Sequence, residues 1–286
     1  MSQVAYLTGG ASGIAKAVAQ MLVKHNNKVF IADRDLAAAQ QFVDELNGSG
    51  KGVVAACAYT DVADWNSQAK AFSQAVATFG RIDLVYPIAG VGERVWIPKP
   101  SGASEFEKPD LGVIDVNVNG VLYTVALAVQ QFRKQGPGPN GLRGKIVTVA
   151  SVCGWYVIPT LPIYTTSKHA VVGLVRTYGR YLFDEEKITF NGVCPHVVKT
   201  NISNSKVGFG DRVEKAGLYT PMEAVVETFE KLWQDDTTSG ECFEVGPNYA
   251  KNGPVARQPI EVLDQESEKL HEFLTEMGRP LQVPQQ

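Results

Sequence analysis

The sequence predicts an α/β protein of three layers, in which helices cover both faces of a doubly wound parallel sheet of about seven strands. Short, almost wholly apolar segments alternate with amphipathic ones along most of the 286 residues, a pattern typical of parallel strands buried between helices. A glycine-rich turn, TGGASGIA at residues 8–15, joins the first apolar segment to the first amphipathic one. A C-terminal helical extension is expected to follow the sheet.

The predicted strands share a uniform apolarity that leaves no face for water. They lie at residues 4–8, 28–33, 52–59, 82–90, 145–151, 188–194 and 242–246. The predicted helices repeat apolar residues every three or four positions, and they lie at residues 13–25, 35–47, 63–79, 110–135, 162–183 and 221–234. Residues 93–109 and 136–144 hold too much Pro, Gly and Ser for either element and are predicted to be irregular.

A single domain, residues 1–249, is expected to contain all the predicted strands and helices. The same domain is expected to bind both the cofactor and the substrate. Residues 250–286 form the predicted extension. Within it, residues 259–277 place apolar side chains at helical spacing, at Ile260, Leu263, Leu270, Phe273 and Leu274. A helix that packs on the domain or on a partner subunit is the expected structure.

Composition excludes several classes of function. A formal net charge of −3 provides no general attraction to nucleic acid or to acidic membranes. The N-terminus lacks the pattern of a signal peptide, and we find no apolar run of membrane-spanning length, so a cytoplasmic protein is expected. The four cysteines lie far apart without a C-x-x-C pair, which argues against a metal site and against disulfides.

The glycine-rich turn predicts a dinucleotide site. Glycines allow backbone N–H groups to approach a pyrophosphate at the start of a helix. Asp33 ends the second predicted strand, where a carboxylate can accept hydrogen bonds from the adenosine ribose. That carboxylate favours NAD, whereas the adjacent Arg34 could bind the phosphate of NADP. A helix N-cap is an alternative role for Asp33.

Tyr164 and Lys168 are four residues apart in a predicted helix and therefore share one face. Alone, such a pair is close to what chance produces, and a lysine lying along a half-buried tyrosine would explain it. Ser151 ends the fifth predicted strand, where a parallel sheet binds its ligand.

Together these motifs resemble the short-chain dehydrogenase/reductase (SDR) family, whose spacing from Ser151 to Tyr164 and Lys168 this chain reproduces. The resemblance covers about residues 4–246 and is greatest to the 15-hydroxyprostaglandin dehydrogenase-like branch. It implies a Rossmann fold, with Tyr164 as proton donor or acceptor and Lys168 favouring the phenolate and holding the nicotinamide ribose. It also implies that Ser151 binds the substrate oxygen and that Asn117 anchors a water beside Lys168.

The resemblance further implies which residues bind the cofactor and the substrate. The cofactor would contact Gly9, Ser12, Gly13, Ile14, Asp33, Asp61, Val62, Ala89, Gly90, Tyr164, Lys168, Pro195, Val198 and Thr200. The substrate pocket is expected to include Val91, Trp96, Cys153, Trp155, Tyr156 and His196. Residues 93–109, residues 200–220 and the C-terminal extension should build its walls. A fairly large apolar substrate is favoured by Trp96, Trp155, Tyr156 and Phe209.

Three positions depart from the family pattern. Ile88 replaces an Asn that braces the cofactor, Ala15 replaces a glycine, and His196 replaces the glycine after Pro195. His196 could be a wall of the pocket or an acid or base, and the wall is the preferred interpretation.

The main hypothesis is therefore an oxidoreductase that interconverts a secondary alcohol and a ketone with NAD, or with NADP. A non-redox cyclisation or isomerisation on the same scaffold is the alternative, and a nucleotide-sensing protein is a third. The expected partner is a small-molecule substrate, and by resemblance the chain forms a homodimer or homotetramer through helices 110–135 and 162–183.

Overall fold

The computed structural model describes residues 2–48, 52–98, 106–204 and 209–257, together with Lys269. Its strands are β1 (Val4–Thr8), β2 (Lys28–Asp33), β3 (Ala55–Tyr59), β4 (Leu84–Pro87), β5 (Gly144–Val149), β6 (Ile188–Pro195), β7 (Cys242–Val245) and β8 (Val255–Ala256). They form one sheet in the order β3-β2-β1-β4-β5-β6-β7-β8. All pairs are parallel except β7 with β8. The predicted α/β class with a doubly wound sheet is confirmed.

The described helices cover both faces of this sheet. They are α1 (Gly13–Lys24), α2 (Leu36–Asn47), α3 (Trp65–Phe79), α4 (Gly112–Lys134), α5 (Pro162–Glu186), α6 (Asn201–Asn204), α7 (Phe209–Lys215), α8 (Met222–Gln234) and α9 (Tyr249–Asn252). Helices α3, α4 and α5 bury their apolar faces on one side of the sheet, and α1, α2 and α8 on the other. Two apolar cores therefore hold the strands between them, which explains the uniformly apolar strand sequences.

Short polar contacts set the helix boundaries. The Asp35 carboxylate accepts a hydrogen bond from Ala38 N at 3.0 Å, and the Asp64 carboxylate accepts one from Ser67 N at 3.0 Å, so each aspartate caps the helix that follows it. Gly80 ends α3 with φ of 80°, a left-handed conformation that glycine adopts without strain.

Two strands are shorter than predicted by three or more residues. The third begins at Ala55 because the Asn47 side-chain oxygen accepts the backbone N–H groups of Val54 and Ala55. The fourth ends at Pro87 rather than at residue 90, because the Thr8 hydroxyl accepts the N–H groups of Ile88 at 3.1 Å and Ala89 at 3.2 Å. These two N–H groups therefore leave the ladder, and the chain turns away from the sheet.

Other elements were not predicted. Strand β8 has two residues, too few for any sequence period, and helices α6 and α7 lie in the segment expected to be a pocket wall. Helix α4 contains a π-helical turn at Asp115–Asn119. Within the described residues α4 is also the one helix whose length and composition would suffice to cross a membrane, but a core helix passes the same test. Its Val121, Val125 and Phe132 are buried in the core against the sheet.

The chain divides into two compact units, Met1–Ala256 and Arg257–Gln286. The first unit includes α9, which begins at the predicted domain boundary, residue 249, and β8, which lies beyond that boundary. In the second unit only Arg257 and Lys269 are described. The predicted amphipathic stretch 259–277 therefore lies, apart from Lys269, outside the described residues.

Candidate active site

A cavity of about 730 Å³ lies at the carboxyl ends of the central strands. The sheet order changes direction there, between β1 and β4, and open α/β sheets bind ligands at that point. The predicted site residues that line it are Gly9, Ser12, Gly13, Ile14, Asp33, Asp61, Val62, Ala89, Gly90, Val91, Ser151, Cys153, Tyr164, Lys168, Pro195, His196, Val198 and Thr200. Residues distant in sequence thus surround one volume.

The glycine-rich turn forms one end of the cavity. Gly9 has φ of +68°, and a Cβ there would lie 2.9 Å from the backbone Cα of Ala89. Gly13 has φ of +52° at the first position of α1. Ser12 precedes α1 in an extended conformation, and its hydroxyl makes no capping hydrogen bond. The turn therefore exposes the N–H groups at the start of α1 to the cavity.

Asp33 supports this turn from the end of β2. One carboxylate oxygen accepts from Ala11 N at 2.9 Å, and the other accepts from Asp35 N at 2.9 Å. The helix cap of α2 is Asp35, not Asp33. The carboxylate of Asp33 therefore ties the glycine-rich turn to β2 and still lines the cavity beside Arg34.

Ser151, Tyr164 and Lys168 lie together at the other end. Ser151 follows β5, and its side chain lowers the pKa of the nearby Tyr164. The Ser151 Oγ accepts from Cys153 N at 3.2 Å. Lys168 Nζ donates to Val149 O at 3.0 Å and lies 5.6 Å from the centre of the Tyr164 ring. Lys168 is 5% exposed, so the carbonyl of Val149 fixes an amine that has almost no contact with solvent.

Burial controls the proton affinities of this pair. It raises the pKa of Tyr164 to about 12, while the Ser151 hydrogen bond opposes the rise and the Cys153 and Cys194 thiols reinforce it. Burial lowers the pKa of Lys168 to about 8, against the effect of the same two thiols. The sequence predicted that Lys168 would favour the phenolate. In the structure burial is the largest influence on the pKa of Tyr164, and the effect of Lys168 on the phenolate stays a prediction.

Asn117 does not line the cavity but connects its walls. Its amide donates to Val91 O at 3.0 Å and to Ser167 Oγ at 3.1 Å, and its oxygen accepts from Val91 N at 2.9 Å. The π-helical turn of α4 presents Asn117 to these partners. Asn117 therefore holds the segment after β4 against α5, one residue before Lys168.

At Ile88 the side-chain amide of the family pattern is absent, but the backbone there is still held. The Thr8 hydroxyl accepts the N–H groups of Ile88 and Ala89. These hydrogen bonds fix the backbone at Ala89, which is the part of the cavity wall that lies against Gly9.

Sequence reasoning missed Glu93. Its carboxylate lines the cavity and accepts from Tyr164 N at 2.7 Å and from Ile163 N at 3.4 Å. These are N–H groups of the first turn of α5, where a negative charge is favourable. The sequence indicated only that residues 93–109 are irregular. It could not show that Glu93 caps α5, because the two segments are about 70 positions apart and no local pattern links them.

Three predicted pocket residues do not line the cavity: Trp96, Trp155 and Tyr156. Trp155 packs against the apolar core, with the Arg176 guanidinium 4.1 Å from its ring. Tyr156 is 41% exposed and turns its hydroxyl to Glu244. The walls are instead completed by Ile158, Leu161, Ile202 and Phe209.

His196 lines the cavity, and its imidazole is held by residues that lie outside the cavity lining. Its Nε2 lies 2.7 Å from Glu244 Oε1, and the Tyr156 hydroxyl donates to the same carboxylate at 3.2 Å. Glu244 and Tyr156 are not part of the cavity lining. The histidine side chain therefore has a defined orientation, unlike a residue that only fills space.

The residues present fit a dinucleotide. A Cβ at Gly9 would obstruct the turn, and a Cβ at Gly90 would lie 3.3 Å from Asn117 Oδ1 and 3.9 Å from Lys168 Nζ. Backbone N–H groups, an unbonded Ser12 hydroxyl and the Asp33 carboxylate line one continuous volume. Among the residues described, no three His, Cys, Asp or Glu side chains could hold a metal ion, and the four cysteines are free.

Comparison with known proteins gives a consistent result. Residues 3–208 match the family model described as short chain dehydrogenase. The chain is 29% identical over 253 residues to cyclohexanol dehydrogenase of Acinetobacter sp. (strain SE19), with 88% of this chain and 94% of the relative covered. It is 28% identical over 260 residues to the NAD(+)-dependent 15-hydroxyprostaglandin dehydrogenase of Rattus norvegicus, with 85% and 90% covered.

A solved structure has the same fold. It is the 3-ketoacyl-(acyl-carrier-protein) reductase of Brucella melitensis in complex with NADH, with a TM-score of 0.71 and 24% sequence identity. The match covers 86% of this chain and 97% of that chain.

Proposed function

This chain belongs to the short-chain dehydrogenase/reductase family of oxidoreductases, and we propose that it interconverts a secondary alcohol and a ketone with NAD as the preferred cofactor. The observation that carries the proposal is the convergence of Ser151, Tyr164 and Lys168 on the cavity whose other end is the glycine-rich turn. A bound nicotinamide supplies the carbon that accepts or donates the hydride.

Tyr164 handles the proton. Because burial keeps its pKa near 12, the phenol donates to a ketone oxygen as reduction proceeds, and the phenolate accepts the proton in the reverse direction. The Ser151 hydroxyl lies within hydrogen-bonding reach of Tyr164 and orients the same substrate oxygen. Lys168 holds a positive charge near the developing phenolate, and Asn117 keeps the walls around Lys168 in place.

The preference for NAD rests on Asp33. Its carboxylate lies at the end of β2 beside the turn and would repel a ribose phosphate. Arg34 also lines the cavity and makes NADP a weaker second cofactor. The rat relative is named for NAD(+) and the Brucella structure contains NADH, which supports the same choice.

The substrate is proposed to be a fairly large apolar molecule. Ile158, Leu161, Ile202 and Phe209 form apolar walls beside Ser151 and Tyr164. We also propose that the protein acts in the cytoplasm as a homodimer or homotetramer. Leu122 on α4 is 41% exposed, as a subunit contact would require, and light scattering of the purified chain would measure the assembly.

The test compares the wild type with Tyr164→Phe, using cyclohexanol and NAD, and cyclohexanone and NADH. The expected loss of kcat in the variant is about 10²- to 10⁴-fold, the usual contribution of a general acid or base. Tyr178→Phe is the matched control, because it removes the same hydroxyl from the same helix where Tyr178 stacks on Tyr181. Undiminished turnover in Tyr164→Phe contradicts the proposal, and turnover without any dinucleotide would favour a cyclisation or isomerisation.

A further inference from the structure

The wall of the cavity beyond β6 holds a polar group that the proposed reaction does not use. His196 is the first residue after Pro195, and its side chain is 32% exposed. Within the part of the chain that the structure describes, His196 makes one side-chain hydrogen bond, from Nε2 to Glu244 at 2.7 Å. The Nδ1 atom has no partner there. A polar atom on the wall of a largely apolar pocket is a means of recognition.

Glu244 fixes the tautomer of His196. A carboxylate accepts hydrogen bonds, so the proton of a neutral imidazole lies on Nε2 and Nδ1 has a lone pair. The Glu244 side chain is 15% exposed, and the Tyr156 hydroxyl donates to it at 3.2 and 3.3 Å. His196 therefore presents Nδ1 in a fixed orientation, since both the ring and the carboxylate that holds it are restrained.

The sheet sets the distance between His196 and Ser151. Strands β5 and β6 are adjacent and parallel, with Val149 opposite Val193 and Ala150 N donating to Val193 O at 2.8 Å. Ser151 is therefore level with Pro195, and His196 is one residue further. Neighbouring strands lie about 5 Å apart, and both side chains line the same cavity. A small molecule can span that distance with a few bonds.

From this arrangement we propose that His196, positioned by Glu244 and Tyr156, binds a second hydroxyl group of the substrate, close to the carbon that reacts at Tyr164. The substrate class is then a diol or a hydroxyketone on an apolar frame, rather than a simple alcohol. The inference rests on the proposed function, because Ser151 and Tyr164 define the reacting oxygen. His196 determines specificity and takes no part in the proton transfer.

The experiment compares cyclohexanol with cis-1,2-cyclohexanediol, which differ by one hydroxyl group. The expected wild-type preference in kcat/KM is about three- to tenfold for the diol, the usual effect of one neutral hydrogen bond. His196→Leu is expected to remove that preference. His196→Asn is expected to restore most of it, because the asparagine amide lies where Nδ1 lies in histidine.

Two results would overturn the inference. One is an equal loss for both alcohols in His196→Leu accompanied by a higher KM for NAD, which would mean that His196 contacts the dinucleotide. The other is a diol preference that survives in His196→Leu.

A binding measurement separates this inference from the proposed function. Ligand-observed NMR of both alcohols with Tyr164→Phe reports binding without turnover. Tighter binding of the diol, lost in the double variant Tyr164→Phe/His196→Leu, supports the role of His196 even where the wild type oxidises neither alcohol. Equal binding of the two alcohols, or no binding of either, contradicts it.

Discussion

The two ends of the cavity are built on different physical principles. At the glycine-rich turn the functional groups are backbone N–H groups, and their exposure depends on Gly9 having no side chain beside Ala89. At the opposite end the functional groups are the side chains of Ser151, Tyr164 and Lys168, and burial shifts the pKa values of Tyr164 and Lys168. The glycine-rich turn therefore depends on the shape of the backbone, whereas the opposite end depends on the protonation of Tyr164 and Lys168.

This difference predicts two kinds of mutational effect. At the side-chain end, a change at Ser151 should alter kcat and leave dinucleotide binding intact, because interactions made in the transition state do not appear in ground-state affinity. Changes at the turn should alter dinucleotide affinity and leave kcat at saturation intact. A variant that changes both kcat and dinucleotide affinity would contradict this division between the two ends.

Of the changes that test this comparison, Ser151→Ala is expected to have the largest effect. Removing a hydroxyl that orients the substrate oxygen should lower kcat about 10²- to 10³-fold, as loss of one preorganised donor does in other enzymes. The Kd for NAD, measured by calorimetry, should stay within about twofold. A large rise in that Kd would show that Ser151 also belongs to the nucleotide end.

A smaller effect is expected for Gly9→Ala. Its φ of +68° and the 2.9 Å approach to Ala89 Cα force the turn to shift, and a strain of about 1–3 kcal/mol corresponds to a Kd for NAD roughly 5- to 150-fold higher. Calorimetry with NAD measures this change.

Gly80→Ala is the matched control for Gly9→Ala. Gly80 has φ of +80°, but a Cβ there meets nothing within 4 Å, so this variant should lose stability without losing affinity. Equal Kd values for the two variants would mean that general backbone strain, not the contact with Ala89, controls binding.

The smallest effect is expected from pH, in the direction of ketone reduction. With NADH, whose nicotinamide is uncharged, Tyr164 keeps its proton because its pKa is about 12, so kcat should be flat from about pH 6 to pH 8. Above the Lys168 pKa of about 8, loss of the ammonium charge should lower kcat several-fold. A decline already complete by pH 7 would mean that Tyr164 ionises much lower and that burial does not dominate this end.

The sequence was informative where chemistry follows from local geometry. The glycine-rich turn, Asp33 and the Ser151–Tyr164–Lys168 spacing each follow from a strand or helix that can be identified from its own residues, and the structure places all of them around one cavity. Their roles in catalysis and binding are still predictions. The parallel sheet was also predictable, because apolar strands alternate with amphipathic helices.

The errors lie where distant segments meet. Trp155 and Tyr156 follow Ser151 in sequence but turn to Arg176 and to Glu244, which no local pattern reveals. Glu93 contacts the first turn of α5 across 71 positions of the chain. The direction of the Tyr164 pKa shift could not be inferred either, because the Tyr164–Lys168 spacing indicates a neighbouring charge but not the depth of burial.

The π-helical turn at Asp115–Asn119 also limits how the length of this chain can change. Such a turn contains one residue more than α-helical geometry would place there, and here it carries Asn117 to Val91 and Ser167. Deleting one residue from the turn would restore a regular helix and would remove the wider turn that carries Asn117 to its partners. Single-residue insertions and deletions should therefore be tolerated in the irregular segment 93–98 more readily than in this turn, although the turn lies within a continuous helix.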